Sequence, residues 1–80
     1  MDNQKLISDL ANGPVVVTFT KMDGTERIMP CTINEQIIAV KNPGASTNYS
    51  QSGDTLTVFD LENNQWRSFR MSAVKTAVTI

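Results

Sequence analysis

Apolar and polar residues alternate over most of this chain, and the places where alternation stops divide it into elements. In residues 56–71, LTVFDLENNQWRSFRM, two alternating runs flank ENNQ, which predicts a strand, a turn and a returning strand. The segment from Val15 to Ile33 repeats the pattern. Val15, Val17 and Phe19 share one face of VVVTFT, and Asp23-Gly24 supplies a turn in which both central residues are expected to take positive φ. TERIMPCTI then alternates back. Pro30 has no N–H for a ladder hydrogen bond, so it places its part of that strand at a sheet edge, a bulge or a barrel corner. After a tight turn at Ser72-Ala73-Val74, residues 75–80 alternate again, with Ala77 or Val78 and Ile80 as candidate core.

Elsewhere the period changes or vanishes. Asp2 or Asn3 can cap a short helix running to about Asn12, with Leu6, Ile7 and Leu10 on one face and Gly13-Pro14 as its stop. So short a helix needs a surface to lie on, either an open end of the sheet or, as an arm, another subunit. Residues 34–40, NEQIIAV, fit a helical turn capped by Asn34 or a strand built on Ile38 and Val40. Residues 42–54 show no apolar period and read as a long flexible loop. The expected architecture is mainly β: one domain, with a helix at 1–13 and a five-stranded antiparallel barrel at 14–80. Closure into a small barrel suits five short strands because it removes edges that a sheet of this size cannot otherwise protect.

Composition adds bounds. A chain of 80 residues buries only about 60–65% of the surface its unfolded form exposes, so its core is small. Net charge is −1 and charged residues are 19%, which argues for a folded chain rather than a disordered one. The charge is unevenly distributed: residues 1–62 carry four basic and eight acidic side chains, whereas residues 63–80 carry Arg67, Arg70 and Lys75 and no acid. A lone cysteine forms no internal disulfide, no Cys/His set is present to hold a metal, and no run of 18 apolar residues exists to span a membrane. A reducing cytoplasm is the expected setting.

Candidate chemistry is sparse. Without histidine, a general base near neutral pH requires a strongly shifted carboxylate or lysine, and no carboxylate pair lies in an apolar setting, so an enzyme is not expected. Asp54, Asp60 and Glu62 read as ordinary hairpin positions, and Cys31 as a small buried hydrophobe. No glycine pattern encodes a phosphate loop, and no cofactor is expected. On the second hairpin Trp66, Ser68 and Arg70 share one face, and Arg67, Phe69 and Met71 the other. Trp66 and Arg70 side by side suit a stacked base and its phosphate; equally, Trp66 can cover the outer face with Arg70 across it, leaving Phe69 and Met71 to the core. Arg27 joins the group if its hairpin is adjacent.

The stretches V-x-F-T-K-x-D-G-T-x-R (residues 17–27), Cys31-Thr32 and L-T-V-F-D-L…W-R-S-F-R (residues 56–70) resemble the small bacteriophage WYL-like proteins. The resemblance covers roughly residues 15–74; the leading helix and the 42–54 loop fall outside it. It implies an Sm-like, SH3-type barrel with an N-terminal helix, encoded by a tailed phage or prophage and present in the host cytoplasm. The Trp-Tyr-Leu signature itself is absent. Larger regulators of this kind are thought to sense nucleic-acid or nucleotide ligands in an Sm-like groove. The expectation is therefore a non-catalytic binding module contacting nucleic acid or an anionic nucleotide-like ligand through Trp66, Arg67, Arg70 and Arg27. Two alternatives stand beside it: a phage effector that binds a host protein through Tyr49 or the edge near Pro30, and a self-associating homo-oligomer.

Overall fold

The structure, a computed structural model, describes residues 3–44 and 50–80. Helix α1 (Asn3–Asn12) precedes strands β1 (Val15–Thr20) and β2 (Glu26–Thr32). Helix α2 (Glu35–Lys41), strands β3 (Ser50–Ser52), β4 (Thr55–Asp60) and β5 (Gln65–Arg70), a 3₁₀ turn (Met71–Ala73) and strand β6 (Val74–Thr79) complete the chain. The strands are antiparallel in the order β3-β4-β2-β1-β6, with β5 on the other edge of β4. The sheet has six strands, not five, and it is not closed: among the described residues β5 and β6 do not pair. No helix among the described residues is long and apolar enough to cross a membrane.

The extra strand lies inside the segment expected to be all loop. Ser50–Ser52 carries no apolar residue and is wholly exposed, so nothing in its side-chain pattern announces it; backbone pairing with Thr55–Thr57 alone makes it a strand. Residues 34–40 resolve as helix. Asn34 Oδ1 accepts the N–H groups of Gln36 and Ile37 at 3.0 and 3.1 Å, an N-cap, while Ile38 is buried. The first hairpin also departs from expectation. Only Gly24 has positive φ (+90°), because Gly24 N–H bonds Lys21 O and Lys21 N–H bonds Thr25 O, a longer loop than a two-residue turn.

The main core follows strand parity. Val15, Val17, Met29, Cys31, Leu56 and Val58 are fully buried, with Phe69 and Met71 nearly so, and the Leu6 and Leu10 side chains of α1 complete the cluster. Each such burial contributes about 1.5–3 kcal/mol, which is what allows a ten-residue helix to persist. Ala77 packs against this cluster, whereas Val78 and Ile80 face water, so of the three candidate positions in β6 only Ala77 belongs to the core.

The end of α1 is tied to the sheet through polar groups. Buried Thr32 donates its hydroxyl to the carbonyls of Leu10 and Gly13 at 2.8 and 3.0 Å, and Ile33 N–H also bonds Leu10 O. Asn34 Nδ2 reaches Ala11 O at 3.0 Å, so one side chain caps α2 and satisfies a terminal carbonyl of α1. Asn34→Ala therefore loses both functions and is expected to lower stability by about 1–2 kcal/mol in urea unfolding, where a loss of only a few tenths contradicts this double role.

Candidate functional site

The two halves of the sheet meet at a corner. β2 pairs with β4 only through Cys31↔Asp60 and Thr32↔Phe59. The same register places Pro30 opposite Leu61, where Leu61 N–H bonds Pro30 O at 2.9 Å but the return bond is impossible, because proline has no N–H. The ladder stops there. The remainder of β2, residues 26–30, diverges from β4 and β5, and a cleft of about 560 Å³ opens between the two halves on the side of the β1–β2 turn. Pro30 thus marks a barrel corner within an interior strand. It is half-buried, and although β2 lies between β1 and β4, residues 26–29 have no strand partner on the β4 side.

Asp60 stands at that corner. Alternation along β4 aims it to the same side as Leu56 and Val58, and it is completely buried. Its Oδ2 accepts from an Arg27 Nη at 3.0 Å and from Asn63 Nδ2 at 2.8 Å, and lies 3.3 Å from Arg67 Nε. Its Oδ1 accepts the backbone N–H groups of Glu62 and Asn63 at 2.9 and 3.3 Å, which fixes the turn whose Asn64 takes φ 55°. Burial alone raises the Asp60 carboxyl pKa. The Asn63 side chain, the Glu62 and Asn63 N–H groups and the Arg27 charge outweigh it and hold the carboxyl below the ordinary carboxylate value.

The cleft collects all three arginines of the chain, Arg27, Arg67 and Arg70, together with Lys21. Phe19 and Phe69 stack beneath them, with ring centroids 5.3 Å apart and an interplanar angle of 18°. Among the described residues no ion pair holds Arg70 or Lys21, and the single buried carboxylate offsets only one of the two guanidiniums it binds. Two acids stand nearby without lining the cleft. Asp54 accepts hydrogen bonds from Ser72 N–H and Ser72 Oγ, and Asp23, beside Lys21, is held below its ordinary pKa chiefly by the Thr25 hydroxyl.

The expected residues are thus partly brought together. Arg67 lies on the Phe69 side as parity requires, and Arg27 meets it through Asp60. Arg70, on the opposite side by alternation, reaches the cleft because the strand ends there and turns into the 3₁₀ segment. Trp66 does not take part. It lies across β4–β5 from Phe59 and packs edge-to-face on it at 5.5 Å, covering the outer side of the sheet. Tyr49 lies outside the described residues. The contributions of Asp60, Phe19, Lys21 and Met22 to this region did not emerge from the sequence reading, although the shared parity of Leu56, Val58 and Asp60 already aims that aspartate inward.

Cys31 is buried beside Asp60, and burial first, then the aspartate charge, pushes its thiol up from 9.0 to about 12. A raised pKa means the stability from the neutral thiol is complete below the unfolded value and is lost only as pH rises toward 12. Iodoacetamide at mildly alkaline pH is expected to leave Cys31 unmodified in the folded protein and to label it fully in denaturant; rapid labelling of the native chain contradicts its burial. For Asp60 the sign is opposite: stability is present above about pH 4 and lost as pH falls through the depressed folded value. Asp60→Asn is expected to cost about 2 kcal/mol near neutrality, less than a wholly dry pair because both arginines remain partly in water, and to flatten that acid limb of the unfolding profile.

Comparison with known proteins gives a family and nothing finer. Residues 3–75 match the family model described as WYL_2, Sm-like SH3 beta-barrel fold. No curated protein and no solved structure matches the chain.

Proposed function

Because the chain belongs to the WYL_2 family, whose description specifies an Sm-like SH3 β-barrel fold, we propose its function from the cleft: a non-catalytic module that binds nucleic acid or a nucleotide-like anionic ligand. The observation that supports this is the convergence of Arg27, Arg67, Arg70 and Lys21 over a stacked phenylalanine pair in a chain of net charge −1. A guanidinium offers paired donors to phosphate, and an aromatic floor accepts a planar ring by stacking. Asp60 holds two of the guanidiniums before any ligand arrives, which lowers the ordering cost of binding. Action as a small regulator from a tailed phage or prophage, in the host cytoplasm, belongs to the same proposal and rests on the sequence resemblance.

A second reading has its own observation. Ile28 and Val78 are 65% and 61% exposed on one face of β2-β1-β6, and β6 ends the sheet. An apolar face beside a strand edge suits contact with a protein, either a host protein or another copy of the chain.

Titration of labelled single-stranded oligonucleotides and mononucleotides at low and moderate salt tests the first reading. Arg67→Ala combined with Arg70→Ala is expected to weaken binding by at least about tenfold and to reduce its salt dependence. No binding, or binding indifferent to that double variant, sinks it. Concentration-dependent sedimentation that disappears with Val78→Lys favours the second reading instead.

A further inference from the structure

Within that proposed binding role, on which this inference rests, we infer that the cleft takes a single nucleotide, its base between Phe19 and Met22 and its phosphate on Arg67 and Arg70, rather than a length of strand. The first support is Met22. It is 96% exposed, the most exposed large apolar side chain among the described residues, and it stands at the mouth of the cleft. Its position is not that of a loose loop tip. Gly24, at φ +90°, lets the chain close the Lys21 O···Gly24 N–H bond of 3.0 Å, and Asp23 Oδ1 accepts both the Thr25 N–H at 3.0 Å and the Thr25 hydroxyl at 2.6 Å. A turn so tied fixes the place of Met22, which lines the cleft together with the half-buried Phe19 and the stacked Phe69. An unbranched thioether adapts to the face of an aromatic ring, and a ring entering the cleft there would bury Met22.

The second support is the absence of a basic track. Beyond the cleft the described cations are Lys5, paired with Asp9; Lys75, paired with Glu26; and Lys41 on α2. Asp23 stands beside Lys21 and Asp54 at Ser72, and both Lys21 and Ser72 line the cleft. A continuing phosphodiester chain thus meets acids where a strand-binding surface presents a cationic groove. The volume of about 560 Å³ is that of a small-molecule site.

Calorimetric titration with inorganic phosphate, ribose 5-phosphate, adenosine monophosphate and a short single-stranded oligoadenylate separates the possibilities. The base is expected to raise affinity by about tenfold over ribose 5-phosphate. Met22→Ala, at an exposed side chain and so without effect on the unfolding midpoint, is expected to remove about fivefold of that gain while leaving the affinity for ribose 5-phosphate unchanged. The oligoadenylate is expected to bind each site no more tightly than the monomer. Equal binding of ribose 5-phosphate and the nucleotide, an indifferent Met22→Ala, or much tighter, steeply salt-dependent binding of the oligomer overturns the inference and leaves the anion-binding role standing. Failure of all four probes to bind overturns both.

Discussion

The structure depends on one buried carboxylate. Asp60 sits where β2, β4, β5 and the 61–64 turn converge, and its two oxygens serve four hydrogen-bond donors besides the nearby Arg67 guanidinium. A carboxylate taken out of water is expensive, and the cost is met only when every lone pair is engaged and counter-charge is close. Those conditions hold here because β2 and the 61–64 turn supply the donors and β5 adds a second guanidinium. The same ionic contact therefore joins the two halves of the sheet at their corner and sets the arginines that line the cleft. Fold and site share a single anchor.

The cleft itself follows from incomplete pairing. Beyond Cys31↔Asp60, β2 has no strand to pair with on that side, because β4 ends at Asp60 and the chain turns at residues 61–64. Pro30 accepts one last bond, from Leu61 N–H, and having no N–H returns none; β2 then runs on toward its hairpin turn without a partner on the β4 side. Arg27, three residues before the proline on the unpaired part of β2, meets Arg67 of β5 at the same oxygen of Asp60. Asp60 spans the corner between them. The cleft lies beside that unpaired part of β2.

Much of the fold was legible because a barrel core is a parity pattern. The alternating second hairpin buries Leu56 and Val58 together with Phe69 and Met71, and the Leu6/Leu10 stripe lies on the sheet as so short a helix requires. What escaped was held by backbone pairing or tertiary contact alone. Ser50–Ser52 has no apolar side chain to betray a strand, and the choice of helix at 35–41 is reinforced by Asn34 reaching back to Ala11, a contact 23 residues away in sequence. The site was half legible for the same reason. Parity placed Arg67 with Phe69 and, applied to Asp60 and Arg27, aims both inward, but their meeting depends on a register that no local pattern records. Trp66 drew attention by its chemistry, while Phe59, directly across the hairpin, determines where it packs.

A chain that is weakly acidic overall can still present a cationic site, because local arrangement rather than net charge sets the field in a cleft. Asp9 and Glu26 pair with Lys5 and Lys75 away from the cleft lining, while Asp54, held by Ser72, stands beside the cleft without lining it. Asp60 is the exception, and burial makes it the useful one. Facing inward, it compensates one charge of the Arg27 and Arg67 pair, enough to hold two guanidiniums near each other without cancelling both. The arginines then remain 27% and 40% exposed in their side chains, fixed at their inner ends and open at their outer ones.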